Sequence, residues 1–510
     1  MKKNKASTPI EAVMRFNRFL FRHYVLISFV IILWCLFAVH DVHAKQIFDI
    51  DITLAIESEL MNDGAVDANL MDIQTQQGVV TLTGSVDHIL AKERAEKIAE
   101  NIVGVRAIVN RIDIMPRLFS TDIELQKAVE NALLINPATD SYEVAVTVQK
   151  GVITLTGTVD SWQERYLCET VSKGVPGVVG VKNSITAVRK SRRPDREIQE
   201  EIEAMLKNDV RLDDQLVYVR VENGEATLSG AVGSLAEKNR ATADAYVAGV
   251  RLVKNDDLQV EWWARNKMRR LDAAVMRTDE QITKAVKDAF RYDPRVISFN
   301  PQITVNSGKV ILTGVVDNLS AKRAAEEDAR NVLGVWQVKN YLKVRPVNIP
   351  ADDVLEERVA QAFRDNPWLN HLSIQINALT GWVYLYGEVT TSFAKKEAEK
   401  AAEGVKGVTR VINYITYSDE WSWKADQEIR EDVKSQLFWS PFVDEDQVSV
   451  TVFDGVVTLN GNVETWSERK AAEQNAREGG AKKVINNLTV THRMYGPDDS
   501  TTLINSPYYR

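Results

Sequence analysis

The sequence predicts an α+β protein, a tandem array of six small α-β-β-α-β modules behind one N-terminal hydrophobic helix. Three observations predict it: a glycine-flanked heptapeptide recurs six times, apolar residues at helical spacing precede each copy, and one uncharged apolar run, Tyr24 to Val39, stands ahead of them all.

The heptapeptide reads GVVTLTG (Gly78 to Gly84), GVITLTG (Gly151 to Gly157), GEATLSG (Gly224 to Gly230), GKVILTG (Gly308 to Gly314), GWVYLYG (Gly381 to Gly387) and GVVTLNG (Gly455 to Gly461). The first glycines are 73, 73, 84, 73 and 74 residues apart. Val80, Leu82 and Val86 alternate with polar residues, as do Ile153, Leu155 and Val159, which is the period-two pattern of a half-buried strand. A second alternating run precedes each of these, such as Val144, Val146 and Val148, so the pair forms a hairpin across a glycine turn. The paired glycines are read as turn and bulge residues. A phosphate cradle would have to lead into a helix N-terminus, and these flank a strand.

Upstream, Ile52, Ile56 and Leu60 follow Asp49; Ile198, Ile202 and Leu206 follow Asp195; Ile429, Val433 and Leu437 follow Asp426. Spacing of four makes one stripe of an amphipathic helix, and an acid suits its N-terminus. Asn136-Pro137, Asp293-Pro294, Asn366-Pro367 and Ser440-Pro441 stop it. Downstream, alanine-rich runs such as Ala91 to Glu100 and Ala394 to Glu403 predict a second helix, closed by Gly104, Gly249, Gly334, Gly407 or Gly480 in the left-handed region. A third strand comes next. Each copy places an asparagine there, Asn110, Asn183, Asn255, Asn340, Asn413 and Asn486, read as satisfying backbone at a strand bend rather than contacting a ligand.

The modules are therefore residues 49–115, 120–188, 195–261, 278–346, 351–417 and 425–492, with a cytoplasmic basic stretch and signal anchor or signal peptide at 1–45, a linker at 262–277 and a tail at 493–510. Lys2, Lys3, Lys5, Arg15, Arg18 and Arg22 precede the apolar run, an order that exports the modules behind it. The expectation is modules outside the cytoplasm, tethered to a membrane by residues 24–39. The alternative is a soluble form cleaved after the small residues near Ala44.

Of the net charge of −8, residues 1–44 contribute +4, which leaves −12 for the modules and argues against nucleic acid as partner. The two cysteines, Cys35 and Cys168, make no disulfide framework or zinc spacing. Six scattered histidines and the absence of a nucleophile or phosphate-loop motif lead to the expectation of no enzyme, cofactor or metal. The linker carries Trp262, Trp263, Arg265, Lys267, Arg269 and Arg270, interfacial aromatics mixed with cations. It is the candidate site for lipid or a protein partner, its other reading being a helical linker whose tryptophans pack on a neighbouring module.

The order of helix, G-x-x-x-L-x-G hairpin, alanine-rich helix and asparagine-bearing strand resembles the BON domain, named for bacterial osmotically inducible and nodulation proteins. In the third copy the resemblance rests on Asp195, Ile198, Ile202, Leu206, Gly224, Leu228, Gly230, Val232, Gly249, Val250 and Asn255. It implies a bacterial envelope protein without catalytic residues, located in the periplasm and here tethered to the inner membrane by residues 24–39, and associated with phospholipid binding and stress tolerance. The expected partners are anionic phospholipid or an envelope protein. Self-association, or scaffolding of a partner complex, is the other functional reading.

Overall fold

The computed structural model describes residues 47–116, 120–139, 143–187, 193–267, 277–417 and 424–490; the apolar run Tyr24 to Val39 and the tail lie outside them. Among the described residues no helix is long and apolar enough to cross a membrane.

Module 2 shows how the pattern becomes structure. Thr121 and Glu124 close a capping box over the first helix, Asp122–Ile135, and Leu125, Val129 and Leu133 line its buried side. Asn136 caps the far end before Pro137. The strands Val144–Gln149 and Val152–Val159 pair antiparallel across Lys150 and Gly151, whose φ angles of 51° and 74° make the two-residue turn that matches strand twist. The second helix, Trp162–Lys173, carries the chain back so that Gly180–Ala187 pairs parallel with Val152–Val159. The hairpin's second strand is thus central, and both helices cover one face of a three-stranded sheet over Leu125, Val129, Ile153, Leu155, Cys168 and Val178.

Three features differ from expectation. The acid at the start of the first helix serves the hairpin rather than its own helix end. Asp122 accepts from the Lys150 and Gly151 amides at 2.9 and 3.0 Å, and Asp49, Asp195, Asp279 and Asp426 accept from the same two turn amides in their modules. A turn with two positive φ angles points both N–H groups at one spot, and a carboxylate there satisfies them.

The second helix also ends earlier than its glycine in most modules. It stops at Glu100, Asp244, Arg330 and Glu403, and Gly104, Gly249, Gly334 and Gly407, with φ between 91° and 105°, come a few residues later, at the entry to the third strand. In module 1 Ile102 and Val103 before this glycine and Val105 after it are buried, so the chain trades a helical turn for core. Gly480, directly after the Gly479 cap, alone keeps the expected place.

The third strand, finally, is broken in every module but the second. In module 1 it runs Ala107–Asn110 and resumes at Asp113–Ile114, both parallel to Val79–Val86, with the bulge at the asparagine.

The described residues from Phe48 onward belong to one compact unit. Modules 1, 2 and 3 meet pairwise: Lys173 Nζ lies 2.6 Å from Glu93, Trp162 stacks on Tyr246 at 3.9 Å, and Asn239 donates to Glu100 at 2.5 Å. Glu93, Asn239 and Arg323 hold one position of the second helix in their modules, and Lys173, Glu100 and Glu403 hold another. The Arg323–Glu403 pair therefore joins modules 4 and 5 as 1 joins 2 and 3 joins 1. A second contact also repeats. Leu333 N donates to Asn208 O at 2.7 Å between modules 4 and 3, and Val103 N to Trp439 O at 3.2 Å between modules 1 and 6, at matching helix ends.

Candidate functional site

The recurring asparagines are held by their own modules. Asn110 Nδ2 donates to Lys92 O and to Glu96, while its Oδ1 accepts from Ile112 N. Asn183, Asn340, Asn413 and Asn486 repeat all three bonds. The side chain pins the second helix to the strand bulge and closes the turn beyond it. Asn255 departs, donating to Thr242 at 2.8 Å, because an extra residue separates it from Leu258.

The glycines are likewise spent on backbone. Gly78, Gly151, Gly224, Gly308, Gly381 and Gly455 are second turn residues with φ of 73° to 83°. Gly84, Gly157, Gly230 and Gly461 let a neighbouring carbonyl through: a Cβ on Gly84 would lie 2.0 Å from Leu70 O. Gly314 and Gly387 share the positive φ, in looser surroundings, and interrupt the strand.

In the linker, Trp262–Lys267 forms a short helix against module 3. Ala264 is buried, Trp262 half-buried and Trp263 exposed. Glu261, next to the tryptophans, pairs with Arg106 of module 1 at 3.1 Å. The side chains of Arg265 and Lys267 are not described, and Arg269 and Arg270 lie outside the described residues, so of the six candidate positions the structure places the tryptophans together.

Several electrostatic perturbations lie between modules. At the contact of modules 3 and 4, Arg240 Nε lies 2.5 Å from Asp209 and Arg295 Nη2 2.6 Å from Asp293. Burial, then the neighbouring Asp209 and Asp293 charges, push Asp244 and Asp328 well above the carboxylate range. At modules 1 and 6, burial and the charge of Glu478 push Glu59 up to about 7. Cys168 is a buried free thiol that burial pushes up to about 12, which keeps it protonated. Among the described residues no group of three or more His, Cys, Asp or Glu could hold a metal ion.

The BON domain profile matches residues 49–116, 121–189, 194–261, 278–346, 351–419 and 425–492. The chain belongs to the BON domain family. Its BON modules are similar to Osmotically-inducible protein Y of Escherichia coli, 28% identical over 143 residues that cover 27% of this chain and 71% of the relative. They are also similar to Outer membrane lipoprotein DolP of Haemophilus influenzae, 33% identical over 139 residues, 26% of this chain and 72% of the relative. Among solved structures, CdsD of the Chlamydia trachomatis type III secretion system aligns at 16% identity and a TM-score of 0.12, over 41% of this chain and 91% of that one. One set of exposed residues escaped sequence reasoning, Trp382 and Tyr386 on the BON 5 hairpin, although their signal is the departure of GWVYLYG from GVVTLTG.

Proposed function

We propose that this chain is a non-enzymatic protein of the bacterial envelope in which six BON modules present the 262–277 linker to an anionic phospholipid surface, supporting envelope integrity under osmotic stress. The observation that carries the reading is Trp263, 42% exposed on a helix fixed to the module body, at the head of a sequence run that adds Arg265, Lys267, Arg269 and Arg270. An aromatic ring at the headgroup level beside cations is the chemistry of an interfacial anchor, and each cation near an anionic surface contributes about 1 kcal/mol. The body is otherwise acidic, so attraction must be local. The relatives' names, an osmotically inducible protein and an outer-membrane lipoprotein, agree with the compartment.

Flotation of residues 45–510 with phosphatidylglycerol vesicles and with neutral vesicles tests it. Binding is expected to the anionic vesicles alone, and to fall more than tenfold when the four cations become Gln. Equal absence of binding to both vesicle types removes lipid from the reading. Scaffolding or self-association is the second reading, favoured by the repeated use of the same second-helix positions between modules. Light scattering separates it, since a monodisperse monomer at high concentration counts against self-association.

A further inference from the structure

The outward sheet face of BON 5 differs in kind from that of its sister modules. On a central strand, residues alternate between the helix-covered side and solvent. In BON 5 Val383 and Leu385 are buried, so Trp382, Tyr384 and Tyr386 line the open side. The corresponding residues are Val79, Thr81 and Thr83 in BON 1, Val152, Thr154 and Thr156 in BON 2, and Val456, Thr458 and Asn460 in BON 6. Three large rings replace small β-branched or polar side chains along one line, roughly 7 Å apart by strand geometry.

The neighbours complete the platform. Register sets Asn377 opposite Tyr384 and Gln375 opposite Tyr386. On the other flank Arg410 is opposite Trp382, its guanidinium 4.6 Å from the indole centre, and Tyr414 stacks on Tyr386 at 5.3 Å with planes 15° apart. Trp382, Tyr386 and Tyr414 are 40%, 37% and 56% exposed. Trp382 and Tyr386 stand on one strand and are held by Arg410 and Tyr414, so they are preorganised before any partner arrives.

We propose that this face binds a linear glycan of the envelope, laid along Trp382–Tyr386. A pyranose ring offers an apolar C–H face and a rim of hydroxyl or acetamido groups. A ladder of aromatic rings with carboxamides in register beside it meets both needs, repeated along a polymer. On the strand positions of this face the cation Arg410 is already seated on Trp382 and the exposed Glu388 lies just beyond Tyr386, which leaves little to attract a phosphate-bearing ligand. It is open rather than concave, so it suits a polymer over a small molecule. Tyr386 is held against Tyr414 and Trp382 against Arg410, an arrangement of flat partnered rings rather than of a lone membrane wedge.

The test is isothermal titration of the full chain with chitohexaose, an N-acetylglucosamine hexamer, together with co-sedimentation on isolated peptidoglycan sacculi. The control variant is W382V/Y384T/Y386T, which restores the residues of BON 1 in a module whose buried positions are untouched. The wild type is expected to bind the hexamer and pellet with sacculi, and the triple variant to lose at least tenfold of both while keeping its circular dichroism spectrum and its vesicle binding. Binding to sacculi alone narrows the ligand to the cross-linked polymer and still supports the proposal if the variant loses it. Absence of wild-type binding to both glycans, or equal binding by the triple variant, overturns it. The latter outcome, or loss in the variant of a protein contact only, would assign the aromatic face to something other than sugar.

Discussion

Replacing Glu59 by Gln is expected to stabilise the protein at pH 8 and to change nothing at pH 4. Glu59 sits on the first helix of BON 1 where BON 6 packs, facing Glu478, with Asp63 nearby and Gln436 donating to its carboxylate. Arg94 and Lys396 also face Glu478 and temper its charge, though burial still raises it. Burial and the two carboxylates lift Glu59 from 4.5 to about 7. A group raised in the fold leaves stability intact below its unfolded value and withdraws it as pH climbs through the folded value. Ionising Glu59 in place therefore costs at most about 3 kcal/mol above pH 7, and solvent at this half-buried site cuts that to about 1–2 kcal/mol. The amide of Gln keeps a hydrogen-bonding partner for Gln436 and removes the charge. Thermal unfolding of residues 45–510 at both pH values is the assay, with a midpoint raised by a few degrees at pH 8 and unmoved at pH 4. An equal shift at both, or a loss at pH 8, refutes the electrostatic origin.

Gly157→Ala and Gly314→Ala should separate steric cost from backbone cost. Both need positive φ, but the new Cβ would lie 2.3 Å from Glu143 O in the first and no closer than 3.7 Å to any atom in the second. Chemical unfolding is expected to show a loss of about 1–2 kcal/mol for Gly314→Ala and clearly more for Gly157→Ala, and equal losses would show that the carbonyl contact carries nothing. Asp122→Ala removes the acceptor for both turn amides of BON 2. Those hydrogen bonds hold the Asp122 carboxyl below its ordinary 3.8, so its contribution is present above that value and lost as pH falls. The gap between variant and wild-type midpoints should accordingly be open at pH 7 and narrow as pH falls below 3.8, and a gap independent of pH would refute the turn-capping role.

Features that repeat locally were legible in the sequence. Alternation around Leu82 or Leu155 gives a strand and its buried side, and Ile198, Ile202 and Leu206 give a helix face, because each pattern is set by the geometry of its own element. The Asp122 carboxylate on the Gly151 turn was not legible: 29 residues separate the partners, and a helix-start acid has a sufficient local explanation. The helix ends were misplaced for a related reason. Gly104 does adopt a left-handed conformation, but the burial of Ile102, Val103 and Val105, not the glycine, decides where the helix stops. Of the candidate sites, the asparagine role could be read from residue type, since Asn readily bonds main chain. The inter-module contacts could not, because Trp162 on Tyr246 or Lys173 on Glu93 follows from tertiary placement alone. The aromatic face of BON 5 was present in the heptapeptide, as the departure of Trp382, Tyr384 and Tyr386 from the small residues that other copies hold there.

Six equal weak sites summed by tethering would require six equal free faces. The second helices do not supply them, because Glu93, Lys173, Glu100, Asn239, Arg323 and Glu403 are engaged between modules. The outward sheet faces are not equal either: Thr81, Thr154 and Thr458 stand where BON 5 has Tyr384. Replication thus builds the body from one pattern of buried residues, and under both proposals recognition falls to the places where single modules depart from that pattern, the tryptophan-bearing joint after BON 3 and the ring ladder of BON 5. Deleting a terminal module would then weaken the assembly through its interfaces without removing either surface, whereas altering Trp382, Tyr384 and Tyr386, which face away from the buried Val383 and Leu385, is expected to remove the proposed glycan binding and leave the fold intact.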